Sequence, residues 1–209
     1  VLTGDIIKSG SLSPEQLKSV RSILADAPNQ LEKAINKKIF IGKMDFYRGD
    51  GWQLLLCEPC MSLRVSLFLR ASLLAHELND TRISVGIGTV KSIDSQKVSK
   101  SIGDAFTYSG TGLDKLRKRN YMTISGLLTS QKLEISVFEL ADAIVQSWTS
   151  RRAQAVLQAL KGFNANTIAV KIDPPASRQT VYKLLTEARW QALEVAIDRY
   201  DNIPVSYTH

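Results

Sequence analysis

Two aspartates stand where a chain can bring carboxylates together. Asp5 lies at the end of a β-branched, apolar opening run over residues 1–7, and Asp50 sits at the tip of Arg48-Gly49-Asp50-Gly51. If the strands that carry them are sheet neighbours, both carboxylates reach one edge. Convergent carboxylates bind hard cations, and Mg²⁺ or Mn²⁺ held by one or two of them completes its shell with water and substrate phosphates. The loop Ile6-Ile7-Lys8-Ser9-Gly10 runs toward a helix start, where backbone N–H groups suit a triphosphate. By spacing alone the simpler reading is structural. Asp-Gly is ordinary hairpin chemistry, and an aspartate at a strand end is ordinarily solvated.

A second constellation is basic. In residues 149–190 seven cations (Arg151, Arg152, Lys161, Lys171, Arg178, Lys183, Arg189) oppose only Asp173 and Glu187, a net +5. The flanking segments 131–148 and 191–209 are each −2. Within the basic stretch Ser177 caps a helix on which Val181, Leu184, Leu185 and Ala188 share one face. Arg178, Gln179, Tyr182, Lys183, Thr186 and Arg189 fall on the others. Arg and Gln near a helix start, after a turn and a short helix, suit guanine and adenine edges in a major groove, with the remaining cations on phosphates. The plainer reading is a small helical bundle with a solvated basic face.

Cys57-Glu58-Pro59-Cys60 is a lone C-x-x-C. A structural zinc site needs a second ligand pair, and the chain offers only His76 and His209. The pair is read as reduced, half-buried packing residues. His76 reads as a core-edge or surface histidine, and Trp52, Trp148 and Trp190 as core or interface anchors.

The elements that must position these groups follow from pattern. A strand over 1–7 precedes a helix opened by Ser13-Pro14-Glu15-Gln16, a capping box with proline at the first helical position. Pro28 casts doubt on its continuation. Residues 38–48 and 52–57 form a hairpin. A helix over 59–78 buries Leu63, Leu67, Leu74 and Leu78 and leaves Arg64 and Arg70 to solvent. Residues 81–90 read as a strand, 101–119 as a loop and helix, and 121–124 as a short last strand. From Leu133 on the pattern is helical, over 133–148, 150–161, 165–172 and 177–200. This order makes an α/β sandwich with mostly antiparallel pairing over 1–130, then a helical domain over 131–209.

The 209 residues are 44% hydrophobic and 22% charged, ordinary globular usage without low-complexity bias. No apolar run approaches the roughly 20 residues of a spanning helix, and no secretory pattern opens the chain. A cytoplasmic protein with no membrane partner is expected. The chain starts on Val1 within a strand, which suggests a short preceding piece. The net charge of +7 suits nucleotide or nucleic-acid partners.

Five segments in order carry a resemblance. TGDIIKSGSLSPEQL, FYRGDGWQLL, SLRVSLFLRASLLA, RISVGIGTV and SIGDAFTYSGTGLDKL resemble successive motifs of class III nucleotidyl cyclases, and diguanylate cyclases share that fold. The Gly4-Asp5 opening and the helix start Ala105-Phe106-x-x-Ser109-Gly110-x-x-Leu113-Asp114 resemble the SatD family of bacterial proteins more closely. The resemblance covers residues 1 to about 128. It implies a ferredoxin-like, palm-type α+β fold, with metal on Asp5 and Asp50 and nucleotide contacts from Ile6, Lys8, Ser9, Arg48 and Gly49. It also implies a homodimer. The chain departs from the cyclase pattern where the family places a ribose-positioning Asn and a phosphate-stabilising Arg, since Tyr108 and Gly112 stand there. Asp45, Phe46 and Tyr47 stand where the purine-reading Lys is expected. The C-terminal part resembles a helix-turn-helix of the sigma-factor or response-regulator type, though with about two extra residues and two prolines in the turn.

Together these imply a bacterial regulator that binds a nucleotide through Mg²⁺ or Mn²⁺ and DNA through Arg178, Gln179, Tyr182, Lys183 and Arg189. A divergent nucleotidyl cyclase or nucleotidyltransferase, and a non-catalytic interaction protein, are the alternatives.

Overall fold

The computed structural model describes residues 1–47, 49–116, 119–126 and 131–202. Strand β1 (Leu2–Ile6) leads through a 3-10 turn (Ser9–Ser11) to α1 (Pro14–Ile35). The hairpin β2 (Phe40–Tyr47) and β3 (Gly51–Leu56) precedes α2 (Ser62–Ala75), β4 (Thr81–Ile87), α3 (Asp104–Lys115) and β5 (Met122–Gly126). Five helices follow: α4 (Gln131–Val145), α5 (Ser150–Leu160), α6 (Ala165–Lys171), α7 (Arg178–Glu187) and α8 (Trp190–Asp201). The fold is α+β with a five-stranded mixed sheet of order β2-β3-β1-β4-β5, in which only β4 and β5 run parallel. No described helix is long and apolar enough to cross a membrane.

Strand alternation sorts the two faces of the sheet. Leu2, Ile6, Ile83, Val85 and Ile87 join one apolar core with α1 and α2. The opposite face carries Thr3, Ser84, Gly86 and Ser125, and α3 lies against it. The approach there is close: a Cβ at Gly86 would sit 2.1 Å from the Ala105 carbonyl oxygen, and one at Gly112 would sit 2.3 Å from Ser84 Oγ. Small residues are what let helix and sheet meet.

The same core cluster continues past residue 130, taking in Phe138 and Val145 of α4, Val156 and Leu160 of α5 and Ile197 and Tyr200 of α8. A second, smaller cluster belongs to α5, α6 and α7: Ala155, Ile168, Ala169, Ile172 and Val181.

Four sequence expectations are corrected. First, α1 runs unbroken through Pro28. Pro28 is buried, as are Val20, Leu24, Ala27 and Leu31 of the same helix, and docking of that apolar face on the core offsets the one helix hydrogen bond the proline cannot donate. Second, Arg70 is fully buried rather than solvated. It joins Asp80 (Nη2 to Oδ2, 2.7 Å) and Asp142 (Nη1 to Oδ1, 2.6 Å). Burial opposes its charge, but the two carboxylates outweigh that and raise its pKa above the ordinary arginine value. Arg64 is likewise engaged, 2.8 Å from Asp201. Third, the helix expected over 177–200 is broken between α7 and α8. Trp148 Nε1 donates to the Ala188 carbonyl at 3.0 Å, and Arg189 turns left-handed with φ 57°. Fourth, Cys57 is exposed and only Cys60 is half-buried; both thiols are pushed up, chiefly by desolvation. The three tryptophans are buried as expected.

Candidate functional site

The acidic pair comes together as the strand order requires. In the sheet Asp5 stands opposite Gly51 of β3 on one side and Arg82 of β4 on the other. Ile6 N–H donates to the Asp50 carbonyl at 3.2 Å, so the hairpin tip is tied to the end of β1. Ser9 Oγ donates to Asp50 Oδ2 at 2.5 Å. Lys8, exposed and left-handed with φ 56°, begins the 3-10 turn. Gly49, also left-handed, accepts from Arg21 at its carbonyl. Asp5, Ile6, Lys8, Ser9, Gly49 and Asp50 therefore share one end of the sheet; Arg48 lies outside the described residues.

The surroundings of the pair differ from those of an open metal seat. Arg82, directly across from Asp5, takes both carboxylate oxygens: Nε donates to Oδ1 at 2.8 Å and Nη2 donates to Oδ2. The Asp5 hydrogen bonds, followed by the fields of Asp5, Asp50 and Asp114, raise the pKa of Arg82 against a desolvation cost. Among the described residues no group of three or more His, Cys, Asp or Glu is placed to hold a metal ion. With Arg82 on Asp5, a divalent ion there would stand beside a guanidinium charge, which opposes its binding. The helix N-terminus expected to receive phosphate is also engaged by its own capping box. Gln16 N–H donates to Ser13 Oγ at 3.2 Å, and Ser13 N–H donates to Gln16 Oε1 at 2.8 Å. Arg82 is the site residue that sequence reasoning missed. Its signal was present, because an arginine in β4 becomes the cross-strand partner of Asp5 once β1 and β4 are neighbours.

The basic constellation sorts itself by task. Arg151 donates to the Pro174 carbonyl at 2.8 Å, and Arg152 holds Glu187 at 2.9 Å, so both brace the turn and α7 from α5. Lys161 is half-buried, donating to Gln30 at 2.8 Å over the ring of Phe68; desolvation, then Lys171, lowers its pKa. These three cations serve the fold. Arg178, Gln179, Lys183 and Arg189 are exposed, as are Thr186 and Tyr182, the last to 49%. Ser177 caps α7 through the Thr180 N–H at 3.1 Å, and only Val181 of this helix is fully buried. Helices α6 and α7, joined by residues 172–177, rest on α5 through the smaller core cluster. The first turn of α7 thus stands outward on a braced support.

Comparison of the chain with family models, with curated proteins and with solved structures returned no match.

Proposed function

We propose that this chain is a DNA-binding regulator in which α6 and α7 form a helix-turn-helix, carried by a palm-type, ferredoxin-like domain. The observation that carries this reading is α7. Its N-terminal turn exposes Arg178 and Gln179, with Tyr182 and Lys183 one turn further and Thr186 beyond them, while Val181 faces the α5–α6 support. A helix that presents hydrogen-bonding side chains from its first turns, held by a preceding helix, has the docking geometry of a major-groove reader. Lys183 and Arg189 supply phosphate contacts, which give affinity without sequence information. Selection of bound duplexes from a random pool by the full chain tests the reading. An enriched half-site that is lost in Arg178→Ala supports it, and a pool that stays unenriched contradicts it.

The acidic end of the sheet favours a second reading for the first domain. Asp5 and Asp50 form a nucleotide seat that takes Mg²⁺ or Mn²⁺, with Ile6, Lys8, Ser9, Arg48 and Gly49 around it. The juxtaposition of the β1 end that carries Asp5 and the hairpin turn that carries Asp50 favours that reading, and the hold of Arg82 on Asp5 opposes it.

A further inference from the structure

Arg178 opens α7 and does not hang free. Its Nε and Nη2 both donate to the Tyr182 hydroxyl, at 3.2 and 3.0 Å, and the guanidinium carbon lies 5.3 Å from the centroid of the tyrosine ring. The two residues are four apart on one helix, the spacing at which side chains meet. An arginine side chain loses rotamer freedom when it is fixed. Here part of that ordering is completed before any ligand arrives. The clasp also selects an edge. Arginine has five N–H donors; the tyrosine engages the Nε–Nη2 side, which leaves both Nη1 hydrogens and one on Nη2. That remaining edge presents two parallel donors, the pattern that matches O6 and N7 of guanine.

We infer that Tyr182 is a positioning residue that presets Arg178 to read a guanine in the major groove. The inference rests on the DNA-binding reading and narrows it in two ways. The bound duplex carries a guanine at the position facing the first turn of α7. Tyr182 acts on base choice through its hydroxyl and makes no phosphate contact of its own. Gln179, the next residue, suits an adenine edge beside that guanine.

The test uses the full chain and the half-site enriched from a random pool. Duplexes with each base in turn at the Arg178 position are titrated against wild type, Tyr182→Phe, Arg178→Ala and the double variant. Wild type should prefer guanine about tenfold to a hundredfold, the range of a good bidentate contact. Tyr182→Phe keeps the ring beneath the guanidinium but removes the hydroxyl. It should cut the guanine preference several-fold, by about 3 to 10, at that one position while leaving preferences elsewhere and the salt dependence of binding unchanged. In Arg178→Ala the preference should vanish, and adding Tyr182→Phe should change nothing further. A guanine preference untouched by Tyr182→Phe, or an equal loss at every base position, overturns the inference while DNA binding stands. A chain that enriches no duplex fails the underlying reading instead, so the two failures are distinct.

Discussion

Arg70 is a buried charge that joins distant parts of the fold. Its guanidinium reaches Asp80 before β4 and Asp142 on α4, and Asp142 also accepts the Tyr121 N–H at 2.6 Å. One buried cation therefore ties α2, the start of β4, the approach to β5 and α4. Removing one member of such a network strands the other charges in a low-dielectric interior. Arg70→Ala should lower unfolding free energy by about 3–5 kcal/mol in urea denaturation. A loss under about 1 kcal/mol, the range of a surface pair, would contradict the account. Arg82 makes the opposite case, because its partner Asp5 is half-exposed and reachable. If the guanidinium holds the place of a cation, Arg82→Ala should bind Mn²⁺ more tightly than wild type, and Asp50→Ala in that background should remove the gain. Equal Mn²⁺ affinity in wild type and Arg82→Ala would show that the two aspartates form no latent metal site.

At the scale of elements, contact between α3 and the sheet depends on missing side chains. Gly112→Ala places a methyl 2.3 Å from Ser84 Oγ and 3.2 Å from Ser125 Oγ, and should cost about 1–3 kcal/mol. Ser84 Oγ is itself buried without a hydrogen-bond partner. Ser84→Ala should therefore be neutral or stabilising, and should recover part of the Gly112→Ala loss. Thermal melts of the two single variants and the double variant check both statements; additive losses would contradict them. Element types were largely legible because local rules decide them. Ser13 and Gln16 do form a reciprocal capping box, and Gly49-Asp50-Gly51 does turn the hairpin. The errors fall where tertiary contacts overrule local signals. Nothing in the helix pattern shows that Arg70 meets Asp142, 72 residues away. Nor does it show that Trp148 takes the Ala188 carbonyl and ends α7. That Asp5 and the Asp50 turn lie at one end of the sheet followed only if β1 and β3 were neighbours, as they are, whereas Arg82 needed the β1–β4 register.

At the scale of the whole molecule, the helices after residue 130 do not fold aside from the sheet. Phe138, Val156, Leu160 and Ile197 belong to the same apolar cluster as Leu2, Ile83 and Val85. A continuous core unfolds as one unit. Single-tryptophan variants retaining Trp52 in the sheet or Trp190 in the helical part should report coincident melting transitions. Two separated transitions would contradict a shared core. The same continuity gives α7 a firm base, since Arg152 and Trp148 connect it to α5 and to the segment after α4.

On the proposed function, α7 and its exposed cations bind DNA. The direct measurement is the affinity of the full chain for a short labelled duplex, followed by fluorescence anisotropy across a salt series, for wild type and Lys183→Ala. Phosphate contacts release counterions, so log affinity should fall linearly with log salt, with a slope of about −0.9 per contact. Lys183→Ala should make that slope shallower by about one. A wild-type affinity indifferent to salt, or a slope that Lys183→Ala leaves unchanged, would contradict the account.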